Sequence, residues 1–192
     1  MVGNISGQIL DDLATEPKYN YTTSFDKVMR NNSFGMLCMA HQEGMYRRET
    51  IKTVYDAGAQ LEPTIRHALG TFAGKQLVIE PTFISDIYGL QGRLDLLLED
   101  STDPQRKDII EMKSGNYHAT GLFPNHEAQA LAYSLLLEST FPGRYGLSAI
   151  LYAKASPTEK PLRAVSEDST LRKQELLLLR NRIVANELRL AT

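Results

Sequence analysis

The sequence predicts a mixed α/β domain of the α+β kind: a small mixed central sheet flanked by helices, with a helical N-terminal region. Three observations carry this. Apolar residues recur at helical spacing through residues 1–70. Short strand-like runs broken by turn residues occupy 77–112. A helix, a strand and a further helix then alternate to the end. With 192 residues the chain can bury one sizeable core and is short for two, so residues 1–70 are expected to pack on a core formed by 71–192.

The elements follow in order. Ile5, Ile9, Leu10 and Leu13 predict an amphipathic helix over 3–13, ended by Pro17 and the polar run after it. A second helix is expected over Ser24–Met29 with Ser24 as its N-cap, and the apolar stretch 34–42 reads as a third. From Arg48 to Leu69 the stripe Ile51, Val54, Tyr55, Ala59, Leu61 and Ile65 predicts helix, broken near Glu62 by Gly58 and Pro63. Gly70 and Gly74 mark the change to sheet. Leu77–Ile84 reads as a strand containing Glu80. Leu94–Leu98 and Asp108–Met112 read as a β-hairpin whose turn is signalled by Thr102-Asp103-Pro104. A helix over His126–Ser139, a strand over Gly146–Ala155 and a helix over Thr170–Leu190 capped by Ser169 complete the chain.

Composition sets outer bounds. Apolar (42%) and charged (23%) fractions are those of an ordinary globular protein, and the net charge of −2 does not advertise a non-specific nucleic-acid coat. The lone Cys38 excludes an intramolecular disulfide and an iron–sulfur or zinc site built from cysteines of this chain, and makes a reducing, cytoplasmic setting the default expectation. Apolar runs are interrupted by charge well short of the ~18 residues of a membrane span. The opening residues lack the basic start and apolar core of a signal peptide, so no membrane partner is expected.

The residues with chemistry sit on the hairpin. Glu111 and Lys113 are two apart on one strand and so project from one face; Asp95, on the partner strand, can join them there. A solvated Glu-x-Lys at a strand end is common, but two carboxylates and an ammonium converging on an apolar sheet are costly unless a cation or partner compensates. Carboxylate oxygens suit Mg²⁺ or Mn²⁺. A lysine beside them can orient a water and stabilise charge developing on a phosphate. Downstream, Gln129 and Tyr133 are four apart on a helix and share one face with His126, suited to contacting phosphate or bases.

The ordered set G-x-x-G-R-x-D (Gly89–Asp95), D-I-I-E-M-K-S-G (Asp108–Gly115) and H-E-A-Q-A-L-A-Y (His126–Tyr133) resembles the successive motifs of the PD-(D/E)XK superfamily, specifically the RecB-like nucleases. The strand GLSAILYAKA and the helix KQELLLLRNRIVANEL extend the likeness to about residues 77–190, similar to the nuclease domain of replication helicase–nucleases and to CRISPR-associated RecB-like exonucleases. The resemblance implies a restriction-endonuclease-like core and Mg²⁺- or Mn²⁺-dependent cleavage of DNA, at single strands or ends. It implies Asp95 and Glu111 as metal ligands, Lys113 as the catalytic lysine, and Gln129 and Tyr133 as a DNA-contacting Q-x-x-x-Y element. It also implies a helicase domain or subunit as a companion, in DNA repair, recombination or replication.

Two departures qualify the likeness. Many relatives carry a metal-binding histidine in a G-x-x-x-H context on an early helix; here Gly3-Asn4-Ile5-Ser6-Gly7 places glycine at that position. His41 is the substitute candidate, ahead of His67, though an ordinary surface or core histidine is the better reading of either; Glu80 is a further acidic candidate that reads equally as a solvated edge carboxylate. Many relatives also hold a four-cysteine iron–sulfur cluster; this chain has no such cysteines, so it is either a cluster-free branch or a piece of something longer. Two other functions compete: a nuclease-fold domain that binds or scaffolds DNA with weak or no cleavage, and a restriction-type endonuclease, which shares Asp…Glu-x-Lys but does not call for the Q-x-x-x-Y helix.

Overall fold

The computed structural model describes every residue except Pro17, Glu43, Met45, Tyr145, Glu167, Asp168, Ala191 and Thr192, and omits the side chain of Arg47. Among the described residues the helices α1 (Val2–Thr15), α2 (Tyr21–Asn31), α3 (Ser33–Gln42), α4 (Arg47–Ala59) and α5 (Glu62–Thr71) come first. The strands β1 (Lys75–Ile79), β2 (Thr82–Ser85), β3 (Leu90–Arg93), β4 (Leu96–Asp100) and β5 (Asp103–Lys113) follow. Then come α6 (Pro124–Thr140), β6 (Ser148–Tyr152), β7 (Leu162–Ala164) and α7 (Thr170–Leu190). The larger sheet runs β1-β4-β5-β6-β7, and β2 and β3 form a separate ribbon. The β1–β4 and β4–β5 pairs are antiparallel. β5 and β6 run the same way, because Ile109 N–H bonds Leu147 O while Ala153 N–H bonds Lys113 O, so the sheet is mixed.

By backbone proximity the chain divides into two compact units, Met1–Ala73 with Met112–Ala119 and Leu151–Leu162, and Gly74–Glu111 with Thr120–Ile150 and Arg163–Thr192. In the first, the apolar stripes of α1 (Ile5, Ile9, Leu10), α2 (Phe25, Val28) and α5 (Leu61, Ile65) close over one core with Met36, Val54 and Ala153. Tyr55 meets both Tyr21 and Phe25 edge-on at 4.9 Å, a favoured aromatic geometry. The second unit packs Leu94, Leu97, Ile109 and Leu137 together, with Val78, Phe83, Tyr133 and Phe141 around them.

Several expectations need correcting. Ser24 does not cap α2: Asn20 does, its side-chain oxygen accepting from Thr22 N–H at 2.9 Å and Thr23 N–H at 3.4 Å. Ser24 lies a turn inside and donates to the buried Asp12 Oδ2 at 2.5 Å, a long-range partner that local spacing does not announce. The helix end expected at Pro17 lies outside the described residues; α1 stops at Thr15, and Glu16 is extended. The break near Glu62 falls at Gln60–Leu61, with Pro63 in the first turn of α5, where its missing N–H costs nothing.

Leu77–Ile84 is not one strand. It splits at Glu80–Pro81, where Glu80 takes a left-handed φ of 49° and Pro81 lacks the donor a ladder requires. The second half pairs instead with Leu90–Arg93, a strand hidden in the polar GLQGR sequence. The hairpin is present but tighter than expected. β5 begins at Asp103, and the turn is Ser101-Thr102, held by Asp100 accepting from Thr102 N–H at 2.9 Å and Thr102 Oγ1 at 2.6 Å.

Candidate active site

Asp95 stands at the bend between β3 and β4, immediately before the first β4 residue rather than within the strand. Its carbonyl accepts from Glu80 N–H at 3.1 Å, and Leu94 N–H bonds Pro81 O at 3.0 Å, so the bend is pinned to the break between β1 and β2. The β4–β5 register pairs Leu96 with Ile110 and Leu97 with Ile109, so Asp95 and Glu111 each adjoin the Leu96–Ile110 pair at that end of the hairpin. Glu111 is buried in β5, flanked by the buried Ile109 and Ile110. A carboxylate in that position needs donors.

α6 supplies one. Gln129 Nε2 donates to Glu111 Oε1 at 2.7 Å and to Tyr133 Oη at 2.8 Å, so a single amide bridges the strand carboxylate and the helix phenol. The i, i+4 spacing aligns Gln129 and Tyr133 on one face. Burial raises the Tyr133 pKa, the Gln129 hydrogen bond opposes it, and the charges of Glu111 and Asp95 push it further up, so the ring stays a neutral phenol. Gln129 thereby links Glu111 and Tyr133 directly. His126, a turn earlier on α6, stands edge-on to Phe123 at 5.1 Å.

Gly92 permits this approach. A Cβ there would lie 2.7 Å from Tyr133 Cε1 and 3.1 Å from Leu136 Cδ1, so β3 and α6 meet only across a residue without a side chain. The G-x-x-G-R-x-D motif contained this glycine, but its role as the spacer under Tyr133 depends on a helix some forty residues away.

Lys113 is the last residue of β5, where strand alternation gives positions 111 and 113 the same side. Its carbonyl accepts from Ala153 N–H at 2.9 Å, which fixes that end of the strand. Glu80 carries a half-exposed carboxylate paired with Arg93 at 3.2 Å, and so joins the bend as an ion-pair partner. His41 on α3 and His67 on α5 are both exposed, and the Cα of Gly7 has no neighbour within 4 Å of where a Cβ would stand.

Among the described residues no group of three or more His, Cys, Asp or Glu side chains is arranged to hold a metal ion. The donor chemistry of Asp95 and Glu111 nevertheless suits one kind of ion. Two hard carboxylates fit Mg²⁺ or Mn²⁺ that retains most of its shell as water, and do not fit a soft ion wanting sulfur or an ion needing a full protein cage. Among the described residues no helix is long and apolar enough to cross a membrane. No protein-family model matches this chain, and no curated protein matches it.

Proposed function

We propose that the chain is a metal-dependent deoxyribonuclease that hydrolyses phosphodiester bonds in single strands or at DNA ends, on a restriction-endonuclease-like core of the RecB-like kind. The observation that supports this most is the Gln129 amide bound to Glu111 Oε1, with Asp95 next to Leu96, the partner of Ile110. The buried Glu111 needs a donor whatever its role; the reading rests on that donor being the glutamine of the Q-x-x-x-Y pair.

Asp95 and Glu111 would hold Mg²⁺ or Mn²⁺, which when bound polarises a phosphoryl oxygen and lowers the pKa of its water. Gln129 orients Glu111 by occupying one carboxylate oxygen and leaving the other to its remaining partners. Lys113 orients the attacking water and offsets charge on the phosphate. Tyr133, kept neutral, anchors Gln129 and presents a ring edge to the strand. A domain that binds DNA without cutting it is the second reading, motivated by Gly7 at the position where the resembled nucleases carry histidine.

Labelled single- and double-stranded DNA incubated with Mg²⁺, Mn²⁺ or chelator separates the two. Metal-dependent cleavage lost in a folded Lys113→Ala variant supports the nuclease. Binding with no cleavage at any metal concentration sinks it and leaves the scaffold.

A further inference from the structure

A second polar cleft lies in the same unit, on a different face of α6 from Gln129 and Tyr133. It encloses about 500 Å³, within the usual range of small-ligand sites, and is lined by Leu131, Ser134 and Glu138 of α6, by Arg106 of β5, and by Arg144, Ser166, Ser169 and Lys173 around the start of α7. None of its described lining residues is aromatic.

Arg144 is the centre of the cleft. Its guanidinium donates to Lys107 O at 2.8 Å and to Ser134 Oγ at 3.0 Å, while its Nε is buried with no hydrogen-bond partner. Gly146 makes room for this arrangement: a Cβ there would fall 2.2 Å from Lys107 O. Arg106 bonds Asp108 at 3.3 Å, and Lys173 pairs with Glu138. Lys75 reaches Asp108 from β1. Three cations, Arg106, Arg144 and Lys173, therefore line the cleft with one carboxylate, Glu138. Lys173 N–H donates to the Ser169 carbonyl at 2.9 Å, so Ser169 is the N-cap residue of α7, and both residues line the cleft.

We propose that this cleft binds a phosphate group, using Arg144, Lys173 and Arg106 as counter-charges and the Ser166 and Ser169 hydroxyls as donors. The phosphate is either a free phosphomonoester or part of a nucleic-acid strand. The site is independent of the nuclease reading, since it shares no side chain with Asp95, Glu111, Lys113, Gln129 or Tyr133.

The test is titration calorimetry with inorganic phosphate in chloride buffer with EDTA, alongside anisotropy of a single-stranded oligonucleotide with and without a 5′-phosphate. Phosphate should bind once per chain. Lys173→Gln and Arg106→Gln, both part-exposed and so expected to fold, should each weaken it about tenfold, the loss of one charge-assisted hydrogen bond. Glu138→Gln should tighten it severalfold by removing the competing carboxylate, an effect a purely structural ion pair would not produce. Lys113→Ala should leave it unchanged, which separates this site from the proposed catalytic one. A strand that competes only when 5′-phosphorylated identifies an end-binding pocket, competition without the end phosphate identifies backbone binding, and no competition identifies a free phosphomonoester. Absence of phosphate binding, or binding indifferent to all three cleft variants, overturns the proposal.

Discussion

Gly92→Ala probes how α6 delivers its glutamine to Glu111. The new methyl would sit 2.7 Å from Tyr133 Cε1 and 3.2 Å from Cδ1, with Leu136 Cδ1 at 3.1 Å on the other side. Reaching ordinary contact near 3.4 Å requires the ring to retreat by roughly 0.7 Å, and the ring is held by Gln129 and by the packing of Leu94, Leu97, Ile109 and Leu137. Overpacking of this kind costs about 1–3 kcal/mol, offset by about 0.4–1 kcal/mol from the lower entropy of the unfolded chain, so a net loss of about 1–2 kcal/mol is expected. Urea denaturation measures it. A double-mutant cycle with Tyr133→Ala should show coupling of at least about 1 kcal/mol, because removing the ring removes the clash. Cleavage should fall with stability held in excess, since the Gln129 amide moves with the helix. Gly92→Ala as stable as the parent, or effects that simply add, would refute the spacer role.

Three further outcomes follow from the same geometry. Gln129→Ala should lower cleavage about 10–100-fold and raise the Mn²⁺ needed for half-maximal rate, read from metal titrations, while the melting temperature changes little. Asp95→Ala should abolish cleavage in a folded protein, whereas Ile110→Ala, which empties a fully buried position, should cost about 2–5 kcal/mol in denaturation; the reverse pattern would make Asp95 structural. Burial alone would raise the Asp108 carboxyl, but hydrogen bonds from Lys75 and Leu147 N–H outweigh it and hold its pKa below the ordinary value. A carboxyl lowered on folding stabilises fully above its unfolded pKa near ~3.9 and loses that contribution as pH falls through the folded value, so Asp108→Asn should destabilise by about 3 kcal/mol at pH 7 with the gap closing below about pH 4. A gap that stays constant from neutral to acid pH would show that the charge is not what matters there.

Much of the fold was legible because helices and strands repeat over short distances. The stripes of α1, α4 and α5 are read from residues three and four apart, and the α7 span Thr170–Leu190 is as the pattern predicts. Glu111, Lys113, Gln129 and Tyr133 were visible for the same reason, as i, i+2 and i, i+4 pairs. What misled were positions whose partner is distant. Ser24 has the chemistry of a cap, yet its hydroxyl goes to Asp12. Glu80 looked like a strand residue, but a left-handed φ before Pro81 turns the chain into a second ribbon. The strand Leu90–Arg93 carries no apolar alternation, and it forms because Thr82–Ser85 and α6 cover it. Arg144 and Lys173 had no local motif at all.

The sequence by itself determined the alternation of elements, the apolar faces that must be buried, and the order of acidic, basic and amide groups along them, because these depend on neighbours within a turn or a pleat. Tertiary structure alone decided that the Gln129 amide turns onto Glu111, that Asp95 falls in the bend beside the Leu96–Ile110 pair, that Gly92 lets Tyr133 close over the sheet, and that Arg144 reaches the Lys107 carbonyl. Each of those is a contact between segments tens of residues apart, made because burying the apolar faces leaves only a few ways to satisfy the polar groups carried in with them.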